Sequence, residues 1–141
     1  GKGAMAAVEL PSAALRERIK RWGERLSIAA INSPRSTVLS GEPEAIDALL
    51  GELASEHIFA RKVRVDYASH GAQIEAIRQE LLAELGPIAP RSSSLPLYST
   101  VSGDKLDGIE LDAAYWYRNL RQTVRFADAC ASATERGCLK R

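Results

Sequence analysis

Apolar positions in the first half of the chain alternate between short strand-like runs and helical stripes. Residues 5–10 (Met-Ala-Ala-Val-Glu-Leu) predict a short strand that Pro11 closes. Ser12 is placed to cap a helix through Trp22, with Leu15, Ile19 and Trp22 on one face and Gly23 ending it. Residues 26–31 form a largely apolar run of strand length, stopped by Asn32-Ser33-Pro34, and residues 37–39 make the next strand. Pro43 suits a first helical position, and Ile46, Leu49, Leu50 and Leu53 follow at i, i+3, i+4 and i+7. In residues 61–66, Val63 and Val65 alternate with Lys62 and Arg64, the pattern of a strand with one buried face.

The predicted order over residues 5–66 is strand, helix, strand, strand, helix, strand. That is the split βαβ order of a ferredoxin-like α+β unit, and it sets a first domain at residues 1–66. Beyond Asp66 the pattern changes. A helix is predicted from Gly71 through Leu85, with Ile74, Ile77, Leu81, Leu82 and Leu85 inward, ended by Gly86, Pro87 and Pro90. Residues 95–101 read as a strand leading to a Ser102-Gly103-Asp104 turn. Asp112 can cap a last helical region through Ala131, which carries Tyr115, Trp116, Tyr117, Leu120 and Phe126. These elements, residues 67–141, do not complete a sheet among themselves. Neither terminus reads as a domain boundary, which predicts a piece of a larger protein.

Composition narrows the class without naming a chemistry. The 141 residues carry 45% hydrophobic and 26% charged residues, the profile of a soluble globular chain. No apolar run approaches the ~20 residues that span a bilayer, and no signal peptide opens the chain. With 19 Lys+Arg against 18 Asp+Glu, bulk charge gives no reason to expect a nucleic-acid binder. Cys130 and Cys138 form no metal-type spacing and no disulfide framework, so a cytoplasmic location is expected and no metal.

His70 falls where a strand gives way to a helix, a position that presents a side chain at a sheet edge. A neutral imidazole there can act as a general base, or be structural, and one histidine alone leaves both open. His57 reads as a residue at a helix C-terminus. No Gly-x-Ser-x-Gly elbow occurs, and neither cysteine has a histidine nearby in sequence. Basic residues gather at Arg16, Arg18, Lys20, Arg21 and Arg25 and again at Arg61, Lys62 and Arg64. An RNA-binding sheet would expose aromatics to stack on bases, and the predicted strands carry none, so ordinary solvated faces are expected. Residues 115–121 mix aromatics with arginines and could grip an acidic partner, or equally be core aromatics alternating with surface arginines, since three consecutive residues cannot share one helix face.

Five segments in series resemble the acyltransferase domain of modular type I polyketide synthases. They are residues 3–8 (Gly-Ala-Met-Ala-Ala-Val), 32–41 (Asn-Ser-Pro-Arg-Ser-Thr-Val-Leu-Ser-Gly), 65–70 (Val-Asp-Tyr-Ala-Ser-His), 98–103 (Tyr-Ser-Thr-Val-Ser-Gly) and 115–121 (Tyr-Trp-Tyr-Arg-Asn-Leu-Arg). The likeness runs from about Gly1 to Ala129. It implies a ferredoxin-like small subdomain at 1–66, inserted in an α/β-hydrolase-like large subdomain of which 67–141 is a partial piece. It makes His70 the base of a Ser–His dyad that carries an acyl group from acyl-CoA to the phosphopantetheine thiol of an acyl carrier protein, with no bound cofactor. The implied partners are that acyl-CoA, the carrier protein and the remainder of the synthase, with no nucleic acid and no membrane.

Tyr67, Ala68 and Ser69 before His70 resemble the form found in methylmalonyl-CoA-selecting domains, whereas malonyl-selecting ones usually read His-Ala-Phe-His. A small Ser69 would leave room for an α-methyl branch, a difference worth about 1–3 kcal/mol. Asn32 resembles the family's site-lining asparagine, and a turn role fits it equally. The family's nucleophilic serine and its carboxylate-binding arginine have no counterpart in residues 1–141, so the isolated chain is expected to be inactive. The alternative is a non-catalytic piece that docks a carrier protein or linker.

Overall fold

The computed structural model describes residues 3–135. The first half has the element order that the hydrophobic pattern predicts: β1 (Ala4–Val8), α1 (Ser12–Ile19), β2 (Leu26–Ser33), β3 (Ser36–Gly41), α2 (Pro43–Ser55) and β4 (Ala60–Lys62). The strands form one antiparallel sheet in the order β2-β3-β1-β4, so β1 pairs with strands far from it in sequence on both sides. Alternation along β1 sends Ala4, Ala6 and Val8 into the core and leaves Met5 and Ala7 on the opposite face. The core face packs against Leu15 and Ile19 of α1 and Ile46, Leu49 and Leu53 of α2.

Several boundaries differ from the sequence reading. Ser12 is the first residue of α1 rather than its cap: Pro11 holds the cap position, and no side chain caps the helix there. The α-helix stops at Ile19 and tightens into a 3-10 run over Lys20–Arg25, in which Gly23 takes a φ of 55°, open to glycine at little cost. Pro43 is at the first helical position of α2 as expected. The fourth strand is cut short at Lys62. The Val63 amide still donates to Met5 O, but the Val65 amide turns back to Val63 O, and Val63 is exposed.

Residues 67–135 form α3 (Arg78–Leu85), a two-stranded ladder of β5 (Leu97–Tyr98) and β6 (Lys105–Leu106), α4 (Ala113–Arg121) and α5 (Phe126–Glu135). The helix expected over 71–85 is a 3-10 run, Ala72–Ile77, followed by α3. Only Ile74 of its apolar set is buried, and Ile77 lies out in solvent. The strand expected over 95–101 is reduced to two residues because the turn at Gly103 (φ 76°) bends the chain early, with the Gly103 amide on Ser99 O. Asp112 caps α4 as predicted, accepting from the Tyr115 amide at 2.7 Å. The last helical region, expected to be continuous, breaks at residues 122–125.

That break joins the two halves. Val124 forms a parallel bridge with Ala30 of β2: its amide donates to Ala29 O at 2.8 Å and its carbonyl accepts from Ile31 N at 2.9 Å. Thr123 Oγ1 donates to Ile28 O at 2.7 Å, and the Arg125 amide reaches Thr100 O beside β5. The outer edge of β2 is thereby paired rather than open to solvent.

Candidate functional site

The return from the sheet to the second half passes over the start of β1. Gly3 makes that crossing possible, because a Cβ there would lie 2.3 Å from the Ala68 amide nitrogen. Ala68 is buried at this contact, Tyr67 is exposed, and Ser69 Oγ sits 3.6 Å from Met5 Sδ. The chain then reaches His70 with a φ of 57°. A branched-chain-free but bulky residue held in the left-handed region costs free energy, and its neighbours must impose it. His57 shares that conformation (φ 60°) for a local reason: it follows the C-terminus of α2, where left-handed residues commonly end helices. No such helix end precedes His70.

The neighbours that hold His70 come from the C-terminal end of α4. Its amide donates to Leu120 O at 2.9 Å, and its ring Nδ1 lies 3.1 Å from Gln122 O. A carbonyl oxygen only accepts, so the Nδ1 in this contact carries the proton and the free lone pair of the neutral ring is on Nε2. The ring borders an open cleft of about 590 Å³ between the four-stranded sheet and the second half. Ser27 and Ile28 of β2 and Val101 line it, and Arg16, Lys20, Arg121 and Arg125 bring four cationic side chains to it.

Of the residues singled out in the sequence, His70 borders this cleft. Tyr67, Ala68 and Ser69 precede it in the crossing segment, and none of the three is among the cleft-lining residues. Asn32 is exposed near the far end of β2, and the turn after it is made by Pro34 and Arg35, with the Arg35 amide on Ser33 Oγ. The basic cluster of the first helix divides. Arg18, Arg21 and Arg25 pair with Glu56, Glu52 and Glu42, whereas Arg16 and Lys20 line the cleft, Lys20 with its ammonium on Glu17 Oε2 at 2.6 Å. Cys130 lines an apolar groove elsewhere, and Cys138 lies outside the described residues. Among the described residues no group of three or more His, Cys, Asp or Glu could hold a metal ion, and no helix is long and apolar enough to cross a membrane.

The Gln122 carbonyl was not legible in the sequence, because a backbone acceptor has no residue-type signal. Glu75 was equally hidden, although its spacing after His70 places it on the next turn of chain. Its Oε1 accepts from Tyr117 Oη at 2.7 Å and from Arg121 Nε at 2.8 Å, and these two donors hold its carboxyl below the usual carboxylate range.

Residues 1–139 match the acyl transferase domain family. The chain belongs to that family. It is 56% identical over 137 residues to erythronolide synthase EryA2 of Saccharopolyspora erythraea, spanning 97% of this chain and 4% of that protein. Among solved structures, the acyltransferase domain from module 8 of the salinomycin polyketide synthase superposes with a TM-score of 0.95 at 51% identity, over 97% of this chain and 32% of that one. A loading acyltransferase from the avermectin modular polyketide synthase gives 0.93 at 42% identity, over 97% and 44%. The chain therefore corresponds to about a third to under a half of these solved acyltransferase chains and to a few per cent of the curated synthase.

Proposed function

We propose that this chain supplies the histidine half of a polyketide synthase acyltransferase site, with a ferredoxin-like small subdomain at residues 1–66 and part of the large subdomain at 67–141. The observation that carries this reading is the tethering of His70: a strained backbone, a ring nitrogen bound to the Gln122 carbonyl, and a position on the wall of a cationic cleft. With Nδ1–H engaged, Nε2 is the atom that takes the proton from a serine hydroxyl as its oxygen attacks the acyl-CoA thioester carbon. The carbon–sulfur bond then breaks, and the proton passes to the departing CoA thiolate. In the second half-reaction the same nitrogen takes the proton of the phosphopantetheine thiol as its sulfur attacks the acyl-enzyme ester carbon; the carbon–oxygen bond breaks and the proton returns to the serine oxygen. The Gln122 carbonyl stabilises the imidazolium formed in each half.

The serine belongs to a strand-turn-helix elbow, and residues 1–141 contain no Gly-x-Ser-x-Gly sequence. The cleft cations suit the phosphates of CoA and the acidic surface of a carrier protein, and methylmalonyl-CoA is the acyl donor that the Tyr67-Ala68-Ser69-His70 segment favours.

In a complete acyltransferase domain carrying this segment, His70→Ala is expected to slow acyl transfer by about 10²–10⁴-fold. The 141-residue chain alone is expected to show no mass gain after incubation with methylmalonyl-CoA. Unchanged transfer in the variant would overturn the role of His70, and a mass gain by the chain alone would overturn its dependence on an outside serine.

A further inference from the structure

We infer that Glu75 is a positioning residue for His70, acting through the C-terminal end of α4; the inference rests on the general-base reading above. Two bonds define where the imidazole points, and both end on carbonyls of one short stretch, Leu120 O and Gln122 O. That stretch is where α4 stops, since the Gln122 amide makes the last helical bond, to Arg118 O at 2.8 Å, and Gln122 itself is extended. Helix ends fray unless side chains or tertiary contacts hold them. From the second half, a carboxylate ties this end through two side chains of α4. Glu75 Oε1 takes the Tyr117 hydroxyl and the Arg121 guanidinium together, one helical turn apart on the same face of α4.

The geometry makes a closed loop. His70 is followed within one turn by the 3-10 run that carries Glu75, Glu75 grips Tyr117 and Arg121, and the residues flanking Arg121 hold His70. Arg78 adds to the same corner, its guanidinium 5.3 Å from the Tyr117 ring centroid. Arg121 also lines the cleft, so the carboxylate decides whether that guanidinium lies back against the 3-10 run or swings into the space beside the ring. On the other side, Thr123 and Val124 are fixed to β2, so Leu120–Gln122 spans two anchors. Removing the Glu75 anchor frees one end of the span.

The test reads the ring directly. In the 141-residue chain, two-bond nitrogen–proton correlation spectra of neutral His70 are expected to show the proton predominantly on Nδ1, and the His70 amide to exchange slowly with solvent. Glu75→Ala is expected to mix the two tautomers and to speed that exchange by about fivefold, the scale of losing one partly exposed ionic contact. Glu75→Gln, which keeps the volume and one acceptor oxygen, is expected to restore most of the wild-type tautomer ratio. A tautomer ratio and amide exchange unchanged from wild type in Glu75→Ala, or in Glu75→Lys should the alanine form be unfolded, would overturn the inference. Neither readout requires acyl transfer, so a failure of the general-base reading registers separately, in the His70→Ala rates.

Discussion

At the scale of single residues, the chain concentrates its unusual chemistry within a few positions of His70. Two buried polar atoms, Ser40 Oγ and Gln73 Oε1, have no hydrogen-bond partner among the described residues. Both lie close to Gly71: a Cβ there would meet Ser40 Oγ at 2.9 Å, with Ser27 Oγ and Gln73 Oε1 at 3.1 Å. The absence of a side chain at 71 lets the crossing segment lie flat on the sheet. Ser69 is half-buried against Met5, so a phenyl group there would have to displace Met5 or turn toward open space. In a complete domain, Ser69→Phe is expected to shift the ratio of kcat/KM for methylmalonyl-CoA over malonyl-CoA toward malonyl by about 1–3 kcal/mol, measured with the two donors in competition. An unchanged ratio would remove Ser69 from the determinants of selectivity. His70 was legible as a residue at a strand-to-helix junction. Its left-handed backbone and its carbonyl partners were not, because both are imposed by residues some 50 positions later.

At the scale of elements, legibility tracked how much of the signal was local. The second helix announced itself through Pro43 and a stripe of three leucines and an isoleucine, and Ile46, Leu49 and Leu53 are fully buried where the spacing put them. Leu49→Ala is therefore expected to destabilise the fold by about 2–5 kcal/mol, read from chemical denaturation of the chain. A loss below 1 kcal/mol would show that this core is looser than its burial implies. The fourth strand was over-read for an equally physical reason. Val63 and Val65 alternate with charges as a strand would, but pairing with β1 ends at Ala6 and Lys62, the Val65 amide turns back to Val63 O, and the chain leaves the sheet. In the region of residues 71–85, leucine spacing predicted one buried helix. Ile74 alone found cover, and the run divides into a 3-10 segment and a short α-helix whose apolar side chains remain partly open.

At the scale of the whole molecule, exposed ion pairs join elements that are distant in sequence. Arg18–Glu56 ties the two helices over the sheet, and Arg121–Glu75 ties α4 to the segment after His70. Glu56 is held below the usual carboxylate range by its bond from Arg18, Glu75 by Tyr117 and Arg121, and Asp107 by the amides of Ile109 and Ser93. A carboxylate whose folded value is depressed stabilises the fold above its unfolded value and loses that contribution as pH falls through the folded one. Thermal midpoints are therefore expected to hold from neutral pH down to roughly pH 4.5 and to fall below it, where unfolded carboxylates take up protons first. A midpoint that rises on acidification through that range would contradict the sign. Glu75→Gln should flatten part of the decline.

The bridge at residues 122–125 carries a consequence for motion. Because Val124 is stitched into the β2 margin while its neighbour Gln122 steers the imidazole, opening the two halves like a clamshell would drag the ring off its aim. Movement at the rim of the cleft is then left to side chains such as those of Arg16 and Lys20 rather than to the backbone at 122–125.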